Sequence, residues 1–353
     1  MNTLAIVWAL FSLLFSNANS QIVIENPEKP LNKNAGRVIE LKEMWNTTDK
    51  GGLFFLKNPH RLKIAEDGSI FLQDKDQLLK FSSGGKFVKN LYKKGQGPGE
   101  ISDSFTYLIH KDKLFIKDYS QRRIFRMDLE GTYIDQVNSS ISAYNLIGIR
   151  DDAYICSSVA WPPQSEQTGT LLPLLETIKL VSEDGRAEKD IYTFKTRWYM
   201  APHVSTQWDP DIEVLNDDSK LLFSSHLKDY LIEILDLDLG RIVKKFNRKY
   251  EHIEHITEKR ESDQNKKFGL PNRDYEWDVF DLYLCQGRLW VKTSTIDKER
   301  GELYDVFDFN GQFMDSFHLG AGRILLNTHR DELFILEKDK EENLILVKYK
   351  ILN

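Results

Sequence analysis

The apolar residues of this chain come in short consecutive runs, such as LFI at 114–116, LLF at 221–223 and LFIL at 333–336. A half-buried strand would alternate apolar and polar positions, and an amphipathic helix would repeat every three to four. Short runs that are apolar at every position read instead as strands covered on both faces. Polar, glycine-ended segments separate them: SSGG, DLEG, SEDG, LDLG and DFNG. These supply the left-handed backbone angles that hairpin turns need. Long helical patterns are nearly absent. The exception is a charged stretch from Ile253 to Lys267, which predicts a helix.

The runs recur as a unit: an apolar strand, a gap, a second strand, a polar-glycine turn and a third strand. The clearest copies are SIFLQDKDQLLKFSSGGKFVKNL (69–91) and LFIKDYSQRRIFRMDLEGTYIDQV (114–137). In both, an aspartate (Asp74, Asp118) ends the first of these strands. Four weaker copies follow, and Phe71, Phe115, Tyr154, Leu222, Trp290 and Phe334 hold matching places. The unequal spacing of those six positions implies insertions in the later copies. A leading strand before each unit (105–109, 146–150, 212–215, 279–284, 323–326) raises the count to four strands. Six four-stranded sheets, each apolar front and back, predict an all-β six-bladed β-propeller in which every sheet packs between two others. The last copy lacks a fourth strand. Arg37–Leu41 (RVIEL) is expected to fill that place and close the ring, removing the open edges.

Between the first two copies lies KKGQGPGEIS, 93–102. The chain must cross there from rim to hub. Gly95, Gly97 and Gly99 permit angles that other residues resist, Pro98 fixes its own φ, and Glu100 can accept bonds from loop amides. A phosphate-binding loop would need a following helix and a Lys-Ser/Thr pair, and ISDSFTYLI provides neither. With its G-Q-G-P-G-E crossing, this pattern resembles the NHL-like six-bladed β-propellers of secreted bacterial proteins. The likeness is best over 62–137 and covers 145–351 in outline. Its members include proteins resembling lactonases, lyases and scaffolds, so it implies a fold more than a function.

Composition narrows the setting. Hydrophobic residues make up 41% and charged residues 29% of the chain, which suits a folded protein. A net charge of −6 argues against a nucleic-acid surface. Leu4 to Phe15 is an apolar run too short to span a bilayer, and Ala18-Asn19-Ser20 offers small residues for cleavage. Residues 1–20 therefore read as a signal peptide cleaved near Ser20/Gln21, with 21–353 as one propeller domain that is secreted or periplasmic. Cys156 and Cys285 lie in apolar runs and read as two buried thiols in non-adjacent blades, too far apart to pair.

Insertions are expected near 161–170, 197–211 and 248–278. Loops that lead into inner strands gather on one face, where a rigid frame presents them to a ligand. Trp161, Trp198, Tyr199, His203 and Trp208 would crowd that mouth, and flat aromatics beside polar groups suit sugars or peptides. His252 and His255 are three apart, but a zinc site needs a third ligand and none is marked. Asp209, Asp211, Asp217 and Asp218 offer oxygen ligands for calcium, though not at the spacing of a known calcium loop. No cofactor is otherwise expected. The preferred reading is a non-catalytic binding protein for a glycan, peptide or envelope protein. Its rival is a metal-assisted lactonase or lyase using acids near inner-strand starts, namely Asp211, Glu213, Glu276 and Asp278.

Overall fold

The computed structural model describes residues 23–47, 52–137, 144–161, 170–201, 204–209, 211–214, 221–226, 229–257, 259–268 and 274–352. Their strands form six sheets arranged as a β-propeller. Blade 1 runs outward through Pro59–Ile64, Ile70–Asp74, Gln77–Phe81 and Phe87–Asn90. Blade 2 follows with Phe105–His110, Lys113–Asp118, Arg123–Asp128 and Tyr133–Gln136. Blade 3 has Asn145–Arg150, Ala153–Val159, Thr170–Val181 and Glu188–Ala201, and blade 4 has Asp211–Val214, Leu221–His226, Leu231–Asp236 and Arg241–Arg248. Blade 5 comprises Val279–Cys285, Arg288–Asp297, Gly301–Phe307 and Phe313–His318. Blade 6 starts with Ile324–His329, Glu332–Lys338 and Leu344–Ile351. The six matched positions, Phe71 to Phe334, all fall in second strands.

The doubly apolar strands have the packing they require. In blade 1, Phe71 faces blade 2 among Tyr107, Leu114 and Phe125, while Ile70 and Leu72 face blade 6 beside Phe334 and Leu346. One buried cluster fills each of the six blade interfaces. Burying a side chain of that size stabilises by roughly 1.5–3 kcal/mol, so each interface has several such terms. Cys156 and Cys285 are free thiols in blades 3 and 5, where burial pushes both up to about 12.

Near the hub, the first strands of blades 1, 3, 5 and 6 each carry a bulge, at Arg61, Ile147, Phe280 and Leu326. A bulge breaks the ladder and frees a carbonyl for another donor. The Tyr107 hydroxyl of blade 2 donates to Arg61 O at 2.6 Å, and the Tyr283 hydroxyl of blade 5 donates to Leu325 O at 3.0 Å. Asn327 of blade 6 likewise donates to Leu62 O of blade 1 at 2.6 Å. These bonds tie the blades together where they crowd most.

The N-terminal strand closes the ring, but a few residues later than expected. Leu41–Asn46, not Arg37–Leu41, pairs antiparallel with Leu344–Ile351 as the fourth strand of blade 6. Arg37–Val38 instead runs parallel to Phe317–His318 on the edge of blade 5, and Arg37 forms an ion pair with Asp315. Val23–Asn26 runs parallel to Lys245–Arg248 on the edge of blade 4. Trp45 anchors the closing strand. Its ring packs edge-on to Phe334, and its Nε1 donates to Ser83 O of blade 1 at 3.1 Å.

Two of the three insertions differ from expectation. Residues 197–211, read as a loop, are mostly strand. The third and fourth strands of blade 3 extend together as far as the Thr170–Met200 pair, and Val204–Asp209 folds back as a fifth strand. The helix of the third insertion spans Lys259–Phe268, with Lys266 and Lys267 in the last turn where they complement the helix dipole. Residues 253–257 are not part of it. His255 N donates to Asp274 O and Glu276 N to Ile253 O, so the returning chain takes the backbone groups that a helix would have used.

Candidate binding face

Because strands alternate in direction, the turn between second and third strands emerges on the same face as the crossing to the next blade. The structure joins these segments on that face. At the entry to blade 1, Lys57 N and Asn58 N donate to the Asp74 carboxylate at 2.8 and 2.7 Å. At the entry to blade 2, Asp118 accepts from Ser102 N at 3.1 Å, Ser102 Oγ at 2.5 Å and Gln121 N at 3.0 Å. Both aspartates are fully buried. They latch the incoming chain to the sheet it is about to join.

The glycine-rich crossing is held the same way. Glu100 accepts from Gly97 N at 2.8 Å, and Arg123 donates to Gln96 O, Gly97 O and Glu100 O. A side chain at Gly95 would collide with the Glu100 carboxylate, and Gly99 sits at φ +74°, where L-residues are strained. Pro98 lies between these constraints.

Most of the exposed aromatics among the described residues lie on this face; Phe309, in the turn between the third and fourth strands of blade 5, lies on the other. Phe55 (61% exposed) precedes blade 1, Tyr119 follows the second strand of blade 2, and Trp161 (48%) follows that of blade 3. Tyr275 (55%) and Phe280 (41%) flank the start of blade 5. Phe280 is the bulged residue of its strand, which lets it turn out of the sheet. Trp277 packs against it at 5.8 Å, and Lys292 Nζ lies 5.9 Å from its ring.

Beside Tyr275 are two imidazole–carboxylate pairs at the neck of the third insertion. His252 Nδ1 lies 2.9 Å from Asp278 Oδ1, and His255 Nδ1 lies 2.6 Å from Glu276 Oε1. Asp278 is 1% exposed, its second oxygen has no hydrogen-bond partner among the described residues, and burial pushes its carboxyl up despite the opposing pull of His252. The His252 side chain remains 46% exposed, with its ring 5.5 Å from that of Tyr275. Deeper in the same blade interface, Arg248 Nε and the Tyr230 hydroxyl both donate to Asp305 at 2.6 Å. The Arg248 guanidinium is packed between Tyr230, Tyr250 and Phe313. This buried group is an internal brace between blades 4 and 5.

Residues 45–312 match the family model described as 6-bladed beta-propeller. This chain belongs to that six-bladed β-propeller family. Among solved structures it is similar to a Bacteroides fragilis protein described as exported, at 14% identity over 94% of this chain and 100% of that one, with a TM-score of 0.60. It is also similar to a Bacteroides vulgatus protein at 12% identity over 90% and 99% of the two chains, with a TM-score of 0.59. At these identities the likeness is one of fold. No curated protein matches the chain.

The sequence-predicted residues distribute unevenly over this propeller. Trp198 and Tyr199 lie in the extended fourth strand of blade 3, in register with Gln207 and Thr206, and Trp208 lies in the fifth strand. His203 lies outside the described residues, as do residues 1–22 with the signal-peptide reading, and Asp217 and Asp218. Asp211 and Glu213 open the first strand of blade 4. Tyr275, Phe280, Tyr119 and Phe55 were not singled out by sequence. Phe55, Tyr119 and Tyr275 share one signal, an aromatic just outside a strand end on this face, whereas Phe280 lies within its strand at the bulge. Among the described residues no group of three or more His, Cys, Asp or Glu could hold a metal ion, and no helix is long and apolar enough to cross a membrane.

Proposed function

We propose that this propeller is a secreted or periplasmic binding protein that takes a glycan, a peptide or a protein partner on its crossing face. The observation that carries the reading is the gathering there of exposed aromatics, Phe55, Tyr119, Trp161, Tyr275 and Phe280. A flat ring in water covers the apolar face of a sugar or side chain, while polar neighbours bond its edges. Trp161, Trp198, Tyr199, His203 and Trp208 remain the further candidate contacts that the sequence proposes. The apolar run at Leu4–Phe15 and the small residues before Gln21 support export, and the Bacteroides fragilis protein of like fold, described as exported, agrees with it.

Screening by thermal shift and calorimetry with oligosaccharides, short peptides and divalent ions tests this. A saccharide or peptide should bind, and Trp198→Ala with Trp208→Ala should remove that binding while leaving the melting temperature in place. Unchanged affinity would move the surface elsewhere. The second reading is a metal-assisted lactonase or lyase with acids at inner-strand starts. Glu276 and Asp278 stand there, each engaged by a histidine. A strong rise in melting temperature with calcium or zinc alone would favour that reading over binding.

A further inference from the structure

The His252–Asp278 pair differs from an ordinary buried salt link in one respect: its acid is sealed and its base is open. An ionised carboxylate only accepts hydrogen bonds, so Nδ1 of His252 must carry the proton it gives to Asp278. In the neutral ring that bond sets the tautomer, with the proton on Nδ1 and Nε2 free to accept. The ring is half exposed beside the exposed face of Tyr275. The charged groups around it are chiefly acceptors too. Glu251, Glu254 and Asp274 are exposed acids on the two legs of the neck, Lys249 is the exposed cation there, and Asp229 acts on Asp278 from blade 4. The Arg248 charge is already committed to Asp305.

Such a surface selects its ligand by polarity. It offers a ring to stack on and acceptors to be bonded, and its acids repel anions. A molecule with an apolar C–H face and a rim of hydroxyl donors fits these terms. We propose that Tyr275 and His252, oriented by Asp278, form a subsite for an uncharged saccharide, with the sugar ring stacked on Tyr275 and one hydroxyl donating to His252 Nε2. This rests on the binding reading above and deepens it by naming the ligand class and the residues. His252 and Tyr275 are contact residues. Asp278 is a positioning residue that acts through the tautomer it imposes.

The test uses the full chain and isothermal titration with maltotriose and N,N′-diacetylchitobiose, an oligogalacturonate as the anionic control and a lysine-rich tripeptide as the cationic one. At least one neutral sugar should bind and the oligogalacturonate should not. Tyr275→Ala and His252→Ala should each weaken sugar binding by about tenfold or more, corresponding to one lost contact of moderate strength. Asp278→Asn is the discriminating variant. An amide facing Nδ1 as donor moves the ring proton to Nε2 and turns the acceptor into a donor, so sugar binding should fall as far as in His252→Ala while the melting temperature holds or rises. Proton-detected NMR of the imidazole nitrogens reads the tautomer directly. If a neutral sugar binds but is indifferent to all three variants, the subsite is wrong and the binding reading stands. If only the tripeptide binds, the ligand class is wrong. If no sugar and no peptide binds, the subsite fails together with the glycan and peptide forms of the binding reading.

Discussion

The crossing into blade 2 and the crossing into blade 5 place the same chemistry, a buried aspartate, on the same face, and use it in opposite ways. Asp118 is surrounded by donors from the chain itself, two backbone amides and a serine hydroxyl. Nothing is left for a ligand, and the crossing is short and rigid. Among the described residues Asp278 meets the imidazole of His252 through one oxygen, and its other oxygen has no hydrogen-bond partner. Its crossing is long, returns through a helix and ends in exposed rings. A buried acid fully met by backbone amides is architecture. One met by a half-exposed imidazole transmits its charge to the surface.

That contrast can be broken by substitution. Asp118→Ala should destabilise by about 3–5 kcal/mol, because it strands buried amides and removes the carboxylate beside Arg123. Urea unfolding measures this, and a loss below about 1 kcal/mol would mean that the latch is decorative. The same measurement on Asp278→Asn should show a change within about 1 kcal/mol, with a gain at neutral pH. The sign follows from the raised carboxyl of Asp278. An acid whose folded value lies above its unfolded value costs stability where it is ionised, and the cost lifts as pH falls. The gain of the amide should therefore shrink toward acid pH.

The smallest effect should come from Glu130, which pairs across the blade 1–2 boundary with Lys80 and Lys89. Hydrogen bonds from Lys80 and then Lys89 hold its carboxyl down at about 2. A lowered acid stabilises above its unfolded value and loses that contribution as pH falls toward the folded one. The side chain is 60% exposed, so screening limits the effect. Glu130→Gln should cost under about 1 kcal/mol at neutral pH, fading below about pH 4. A constant difference across that range would show that shape, not charge, is responsible.

How far each region was legible follows the same divide. Second strands buried on both faces announce themselves, because only consecutive apolar residues satisfy two neighbouring sheets, and IFLQD in blade 1 is buried at every position. The closing strand was misplaced because an outer strand has little to bury. In LKEMWN only Leu41 and Trp45 are shielded, so its pattern barely differs from that of the preceding RVIEL. The acids Glu276 and Asp278 and the two histidines were each visible. Their pairing was not, because it depends on two legs meeting across a gap of 26 residues for His252 and Asp278. Phe280 escaped notice because a bulge is a property of register, which a single strand does not reveal.

The N-terminal segment has a consequence for the order of events during folding. Its residues 23–46 border blades 4, 5 and 6, and the last of them pair with 347–351. This early stretch can thus be seated only once the strands up to 347–351 have been made. Contacts of such long sequence separation are slow to form, so until they do, three rim edges stay open to unwanted partners. A nascent chain of this kind gains from being kept unfolded until those late strands have been made.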